Sequence, residues 1–147
     1  MNSGQAFVHL DRLLDRHIGP CSAGPLYLQM PEIAQLVLSR ILAGDPADYV
    51  LHAYVVMPNH VHMLITPLSN VSSLMHRLKG ATAREANRQL GRSGTPFWQR
   101  ESYDRLVRDA REFRRIGNYI VQNPVRAGLS ASPEAFRWSS AWVAEAG

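Results

Sequence analysis

Two apolar segments joined by a two-residue turn constrain the fold of this chain more than any other feature of its sequence. Tyr49–Met57 is enriched in β-branched and aromatic residues, and so is Val61–Thr66, with His60 as its expected first residue. Only Pro58-Asn59 lies between them, which is the length and composition of a tight turn. The sequence therefore predicts an antiparallel β-hairpin.

Helical periodicity flanks this hairpin on both sides. The predicted helices are 33–42, with Pro31 in the first turn; 72–90, capped by Ser72 or Ser73; and 110–122, ended by Asn123-Pro124. Between the last two helices, residues 97–107 indicate an irregular entry to a short strand. The C-terminal tail, with Trp138 and Trp142, is expected to pack back on the domain.

The first thirty residues have a different pattern. Apolar residues recur at helical spacing over Phe7–Ile18, and several Gly and Pro residues follow as an irregular connector. The predicted order is helix, helix, strand, strand, helix, strand, helix. This order is typical of an α+β fold in which helices cover one face of an antiparallel sheet. We expect a single domain over 31–147, preceded by an atypical segment, 1–30.

The distribution of positive charge points to a nucleic-acid partner. The net charge is +4, and 15 of the 16 basic residues are Arg, the exception being Lys79. Eleven of the 16 lie between Arg77 and Arg115. Arg suits bidentate phosphate contacts and stacking on bases. A GC-rich genome is the alternative explanation for the preference for Arg over Lys, but it explains the clustering less well.

Other features limit where the chain works. It has no run of about 18 apolar residues, which excludes a membrane-spanning helix. No basic start precedes an apolar core at the N-terminus, so no secretory signal is expected. The single Cys21 cannot form an internal disulfide and has no partner at metal-binding spacing. These features predict a cytoplasmic protein.

His60 and His62 are the residues with the clearest chemical meaning. Side chains alternate between the faces of a strand, so both imidazoles should lie on one face. Two neutral imidazoles can bind one divalent ion, provided that a third ligand comes from elsewhere in the fold. The alternative is a pair of His on a solvated strand face.

Tyr119 and Asn123 form the second candidate set. They lie four residues apart on a predicted helix and therefore share a face. Tyr119 could be a nucleophile, and Asn123 an oxygen ligand that completes a metal site. A phenol can attack phosphorus when a metal polarises the phosphodiester. The alternative is a Tyr at the edge of the core with its hydroxyl in water.

Aromatic and Arg residues interleave in the stretch that precedes the third helix. Trp98, Arg100, Tyr103 and Arg105 are predicted to stack unpaired bases and bind phosphates. The alternative is that Trp98 packs beneath a loop. The predicted DNA-binding set also includes Lys79, Arg84 and Arg108.

Three segments carry a resemblance to a known family. Val55–Leu64, Trp98–Asp109 and Asn118–Leu129 resemble the motif blocks of REP-associated tyrosine transposases, a branch of the single-tyrosine HUH transposases. The blocks occur in the order of that family, and the resemblance covers about Pro31 to Leu129. Three such blocks are far more specific than a His-x-His pair alone.

The resemblance implies a ferredoxin-like sheet with the His pair on a central strand. His60, His62 and Asn123 would bind Mg²⁺ or Mn²⁺, and Tyr119 would attack single-stranded DNA to form a 5′-phosphotyrosine link and a free 3′-OH. Another 3′-OH can reverse this step and join DNA without ATP. Hairpin-forming DNA repeats are the expected partner, and a homodimer is left open. Members usually begin with a strand beside the His strand, and residues 1–30 predict none.

Two other functions remain compatible with these residues. One is a single-stranded or hairpin DNA-binding protein whose chemistry has lapsed, which the missing strand would favour. The other is a metal-dependent phosphoesterase that uses water as its nucleophile. It would need the His pair but not Tyr119.

Overall fold

The computed structural model describes residues 7–13, 26–99 and 103–144, with the backbone alone for 7–13, Tyr103 and Asp104. The strands are β1 (Phe7–Leu13), β2 (Tyr49–Met57), β3 (His60–Pro67) and β4 (Tyr103–Val107). The helices are α1 (Pro31–Ala43), α2 (Val71–Leu90) and α3 (Ala110–Arg126), with short 3-10 turns at Tyr27–Gln29 and Pro133–Ala135. In the described part of the chain, no helix is long and apolar enough to cross a membrane.

The four strands form one antiparallel sheet in the order β2-β3-β1-β4. With one helix between β1 and β2 and another between β3 and β4, the chain has the β-α-β-β-α-β order of ferredoxin-like folds. The predicted hairpin is confirmed, because β2 and β3 pair on either side of Pro58-Asn59. Its second strand, β3, is one of the two central strands of the sheet.

The prediction for the N-terminal segment is wrong. Phe7–Leu13 is a central strand, β1, which pairs with β3 on one side and β4 on the other. Its register places Asp11 opposite His62. The apolar residues of this segment fit both a helical and a strand period over so short a length, and two ladders of backbone hydrogen bonds outweigh local propensity. The remainder of the predicted helix, 14–18, lies outside the described residues. β1 thus fills the edge expected to be open beside the His strand.

Helices cover both faces of the sheet. One core layer joins α1 and α2 to side chains of β2 and β3 that include Val56 and Met63. The opposite layer joins α3 to residues that include Val55 and Leu64. The prediction of helices on one face therefore holds for α1 and α2 and is wrong for α3. The reason lies in β3, which is buried without interruption from Val61 to Thr66 and so presents apolar side chains to both layers.

Two predicted helix ends also need correction. α2 is capped by Asn70, whose Oδ1 accepts a hydrogen bond from the Ser73 N–H at 3.0 Å, and not by Ser72 or Ser73. α3 passes through Pro124 and ends at Arg126. Proline removes only one backbone donor, and here its ring is buried while the Ala127 N–H donates to the Asn123 carbonyl at 3.0 Å. Asn123 and Arg126 therefore stay in helical register with Tyr119.

The C-terminal segment covers the exposed edge of β2. The Val56 N–H donates to the Trp138 carbonyl at 2.8 Å, and the Ser140 N–H donates to the Tyr54 carbonyl at 3.0 Å. The half-buried Trp138 packs against the α1–α2 core, so the expectation that this tail folds back is confirmed. Pairing of this kind protects a strand that would otherwise offer its backbone to another chain.

The Tyr49 hydroxyl ties β2 to the end of α1, and its loss should destabilise the fold. Tyr49 is buried, and its hydroxyl donates to the Ile41 carbonyl. A Cβ added to Gly44 would lie 2.5 Å from the Tyr49 ring, so only glycine permits this contact. We expect Tyr49→Phe to lower the free energy of unfolding by about 0.5–1.5 kcal/mol, the usual net value of one hydrogen bond. Urea titration at neutral pH measures it.

The same variant should change the response to alkali. Burial, followed by the negative charges of Asp48 and Asp45, raises the pKa of Tyr49 from 10.0 to about 12. Between pH 10 and 12 the Tyr49 hydroxyl therefore ionises in the unfolded state but stays protonated in the folded state. The free energy of unfolding is unaffected below pH 10 and falls as the pH rises towards 12. Tyr49→Phe should lack this loss. An alkaline decline of equal size in both proteins would contradict the assignment.

Candidate active site

His60 and His62 lie side by side on the face of β3 that α3 covers. Their ring centroids are 4.9 Å apart and the ring planes are nearly perpendicular, at 88°. His62 is only 3% exposed, whereas His60 is half-buried. The two rings therefore share a face, as strand alternation predicts, and lie at the boundary between core and solvent.

The residue before the strand orients the first imidazole. The Nδ1 of His60 lies 2.8 Å from Oδ1 of Asn59, which is the second residue of the hairpin turn. Because an amide oxygen can only accept, the His60 Nδ1–H donates this bond, and Nε2 carries the lone pair of the neutral ring. Metal-binding imidazoles usually donate their other N–H to a neighbouring oxygen, so the contact with Asn59 is compatible with metal binding through Nε2.

Tyr119 approaches the His pair from α3. Its ring centroid lies 5.5 Å from that of His62, with the rings at 85° to each other. Ile116 and Ile120 are buried and fix α3 against the sheet, while Tyr119 itself remains 42% exposed. The structure thus brings together Tyr119 and the two histidines, three of the four residues singled out for chemistry. The hydroxyl therefore belongs to a side chain that is partly accessible from solvent.

Asn123 lies one helical turn after Tyr119 on the same face of α3 and is half-buried. In the part of the chain that the structure describes, no three side chains of His, Cys, Asp or Glu gather into a group that could hold a metal. An amide carbonyl oxygen is a ligand that Mg²⁺ and Mn²⁺ accept, so Asn123 could contribute to a metal site together with the His pair.

Arg126 is a site residue that the sequence did not single out. Its guanidinium carbon lies 4.1 Å from the centroid of the Tyr119 ring, over the ring. Its Nη2 donates to the backbone carbonyl of Tyr119 at 3.2 Å. The sequence contained one signal for it: Arg126 follows Tyr119 by seven residues, which is two turns of a helix. That signal was missed because the helix was predicted to end before Pro124.

A third histidine on this side of the sheet is not part of the cluster. The His52 ring packs edge-on against Phe113 of α3 at 5.2 Å, and its Nε2 lies 2.7 Å from the Thr66 hydroxyl. Burial lowers the pKa of His52, and the charge of Asp45 opposes this in part. These contacts give His52 a role in packing β2, β3 and α3 together.

Trp98 is a core residue, which contradicts its expected role in stacking bases. It is 9% exposed, packs edge-to-face on Phe97 at 5.0 Å, and donates its Nε1–H to the Thr82 hydroxyl of α2 at 2.8 Å. A ring buried in this way has no face to offer a base. The alternative considered from the sequence, a Trp packed beneath a loop, is the one that the structure favours.

The basic residues predicted to bind DNA differ in their surroundings. Lys79 is half-buried and donates to the Gln99 carbonyl at 3.0 Å. Arg105 forms an ion pair with Glu112 at 3.2 Å, which links β4 to α3. Arg84 and Arg108 are exposed. Arg100 and the side chain of Tyr103 lie outside the described residues.

Replacing Trp98 by Leu separates its structural role from DNA binding. We expect the free energy of unfolding to fall by about 2–4 kcal/mol, because a large buried side chain and its hydrogen bond are lost. The affinity of the folded protein for single-stranded DNA should change less than about twofold, whereas loss of a stacking contact would cost about 1–3 kcal/mol of binding. Fluorescence anisotropy below the melting transition measures this. A large loss of affinity with normal stability would restore Trp98 to the DNA-binding surface.

Comparisons with known proteins identify the family of this chain and solved structures with a similar fold. A family model described as "Transposase IS200 like" matches residues 38–123. A solved structure of a REP-associated tyrosine transposase bound to a REP hairpin is similar over 93% of this chain and 76% of its own, with 19% identity and a TM-score of 0.67. A crystal structure of a putative transposase from Deinococcus radiodurans is similar over 82% of this chain and 95% of its own, with 22% identity and a TM-score of 0.52. No curated protein matches.

Proposed function

Because this chain belongs to the family of IS200-like transposases, we propose that it cleaves and rejoins single-stranded DNA with Tyr119 as its nucleophile. The observation that carries the proposal is the contact of the Tyr119 ring with His62, 5.5 Å between centroids, beside His60. An accessible phenol next to a pair of imidazoles supports the proposal of a nucleophile beside a metal site. Neither group alone would be specific, since each has an ordinary structural explanation.

A divalent metal is part of this proposal. His60, His62 and Asn123 would hold Mg²⁺ or Mn²⁺, and the hydrogen bond from His60 to Asn59 suits the first of these ligands to that role. When bound, such an ion polarises the scissile phosphodiester and withdraws charge from it. The amide oxygen of Asn123 meets the need for a hard donor, which two imidazoles do not supply.

The chain's own residues account for the covalent step. The Tyr119 oxygen attacks the phosphorus and forms a new P–O bond, while the bond from phosphorus to the 3′ oxygen breaks. The phenolic proton leaves the nucleophile, and the departing oxygen takes up a proton to become a 3′-OH. One phosphodiester replaces another, so the 3′-OH of a second strand can reverse the step without ATP. Proximity of nucleophile and phosphate supplies much of the rate in such a transfer.

The proposed substrate is single-stranded DNA next to a hairpin-forming repeat. The similar transposase of known structure is bound to a REP hairpin. In this chain, exposed Arg residues such as Arg84 and Arg108 can contact phosphates. Binding should weaken with added salt, because each phosphate contact releases counterions.

The alternative of a lapsed, purely DNA-binding relative has lost its main support. It depended on a missing first strand, and β1 occupies that position between β3 and β4. A phosphoesterase that uses water would still employ the His pair, yet it gives no reason for a tyrosine in contact with His62. The transposase reaction uses all three residues.

The polarity of the products tests the proposal. Hairpin oligonucleotides from the DNA that flanks the gene are labelled at either the 5′ or the 3′ end and incubated with the protein and Mn²⁺. On a denaturing gel, the 3′-labelled fragment should migrate as a covalent protein adduct, and the 5′-labelled fragment should be released with a 3′-OH. EDTA should prevent both. Cleavage that leaves a free 5′-phosphate and no adduct would instead indicate a nuclease that uses water.

A further inference from the structure

We propose that Arg126 is a positioning residue for Tyr119, which holds the phenol ring in the orientation that attack requires. This inference rests on the proposed function of Tyr119 and extends it to a residue outside the expected site. The Tyr119 ring is contacted from two directions, by the perpendicular ring of His62 at 5.5 Å and by the Arg126 guanidinium at 4.1 Å over its face. Together they restrict the rotation of this side chain, which is 42% exposed.

The position of Arg126 is itself fixed by the helix. Its Nη2 donates to the Tyr119 carbonyl at 3.2 Å, so one end of the guanidinium is anchored to the backbone of the residue on which it stacks. The last turn of α3, which carries Arg126, is held by the buried Pro124 and by the hydrogen bond from the Ala127 N–H to the Asn123 carbonyl. Had the helix ended before Pro124, Arg126 would not lie two turns above Tyr119.

Orientation matters here because Tyr119 is 42% exposed. An exposed tyrosine without a clamp samples several rotamers, and only a rotamer with its oxygen in line with the phosphorus can react. A cation over the ring face attracts the ring electrostatically. The clamp therefore raises the fraction of Tyr119 side chains that are oriented to react.

A direct contact between Arg126 and a DNA phosphate is the competing role. A guanidinium carries five N–H donors, and the hydrogen bond to the Tyr119 carbonyl uses one of them. The two roles differ in what they change. Loss of a phosphate contact weakens DNA affinity, whereas loss of a clamp slows the reaction of DNA that is already bound.

The test compares three variants under single-turnover conditions with saturating hairpin DNA and Mn²⁺. Arg126→Gln removes both the stacked plane and the charge, and Arg126→Lys keeps the charge alone. Arg137→Gln is the matched control, because Arg137 also stacks on aromatic rings, those of Trp138 at 4.8 Å and Trp142 at 4.6 Å, on the C-terminal segment. Adduct formation, DNA affinity and the urea midpoint are measured for each.

We expect Arg126→Gln to slow adduct formation by about 10- to 100-fold, the range associated with small misplacements of a reacting group. DNA affinity should stay within about twofold of wild type, as expected when no phosphate contact is lost. Arg126→Lys should be intermediate, since an ammonium keeps the attraction to the ring but lacks the planar stack. Arg137→Gln should react at the wild-type rate.

Three results would overturn the proposal: a wild-type rate in Arg126→Gln, an equal loss in Arg137→Gln, or weaker DNA affinity with an unchanged rate at saturation. If Arg126→Gln is unstable, the rate of adduct formation by Arg126→Lys is compared with that of wild type instead, and an unchanged rate overturns the proposal. A wild-type protein that forms no adduct at all would reject the nucleophilic role of Tyr119, and the clamp with it. Adduct formation by wild type that is independent of Arg126 would reject the clamp alone.

Discussion

Tyr119→Phe should abolish the covalent protein–DNA adduct while leaving folding and DNA binding unchanged. The substitution removes only the oxygen that would attack phosphorus. The ring that contacts His62 and carries the Arg126 guanidinium is retained. The hydroxyl belongs to a side chain that is 42% exposed, so its loss should leave stability within about 0.5 kcal/mol of wild type. Labelled single-stranded DNA, Mn²⁺ and a denaturing gel detect the adduct.

Two other tyrosines serve as controls for this result. Tyr27→Phe alters a ring that stacks on Phe97 at 6.1 Å, on the opposite layer of the fold, and should form adduct at the wild-type rate. Tyr103→Phe tests the tyrosine at the start of β4, the rival nucleophile among the motif blocks. An adduct that persists in Tyr119→Phe and disappears in Tyr103→Phe would show that the wrong tyrosine has been chosen.

Replacing His62 by Ala should eliminate cleavage with either Mg²⁺ or Mn²⁺, and His60→Ala should do the same. Each substitution removes one imidazole from a pair whose centroids are 4.9 Å apart. Loss of His60 should be the cleaner test, because His62 is 3% exposed and its removal also leaves a cavity. Mn²⁺ affinity, measured by isothermal titration calorimetry, should fall together with cleavage.

The exposed His76 on α2 provides the matched control for metal binding. His76→Ala should retain wild-type cleavage and Mn²⁺ affinity, since it lies on the helix layer opposite α3. For Asn59→Ala, which removes the hydrogen bond acceptor of His60, we expect a loss in metal affinity of about 10- to 100-fold. Normal cleavage by His62→Ala in the presence of Mg²⁺ would refute the metal site.

The sequence predicted the hairpin well because two independent signals coincided there. Pro58-Asn59 fixed the turn, and the apolar runs on each side fixed the strands, so β2 was predicted with its observed bounds. The uninterrupted apolar run of the second strand also indicates burial on both faces of the sheet, which the prediction of helices on one face overlooked. A strand buried from Val61 to Thr66 needs cover on both faces, and α3 supplies the second.

β1 could not be recognised from local pattern. Seven residues are too few to separate a strand period from a helical one, and the segment owes its conformation to pairing with β3 and β4, which are distant in sequence. The predicted end of α3 was wrong for a related reason. Pro124 is an ordinary signal for helix termination, but tertiary packing of its buried ring allows one more turn.

Within the candidate site, residue spacing predicted which side chains would meet but not which would be exposed. His60 and His62 share a face because strands alternate, and Tyr119 reaches them because α3 crosses the sheet above. The role of Trp98 was misjudged because an aromatic residue among Arg residues suits a buried core as well as a stacking surface. Exposure depends on the whole fold and cannot be read from neighbours in sequence.

Peptide mapping of the trapped adduct tests the central claim most directly. After reaction with single-stranded DNA and Mn²⁺, nuclease trimming leaves a nucleotide on the attacking residue, and trypsin then cleaves after Arg. Of the five tyrosines in the chain, only Tyr119 lies in the tryptic fragment 116–126, and only Tyr103 lies in the fragment 101–105. We expect tandem mass spectrometry to find a 5′-linked nucleotide on Tyr119. A nucleotide on Tyr103, or on any other residue, would contradict the account.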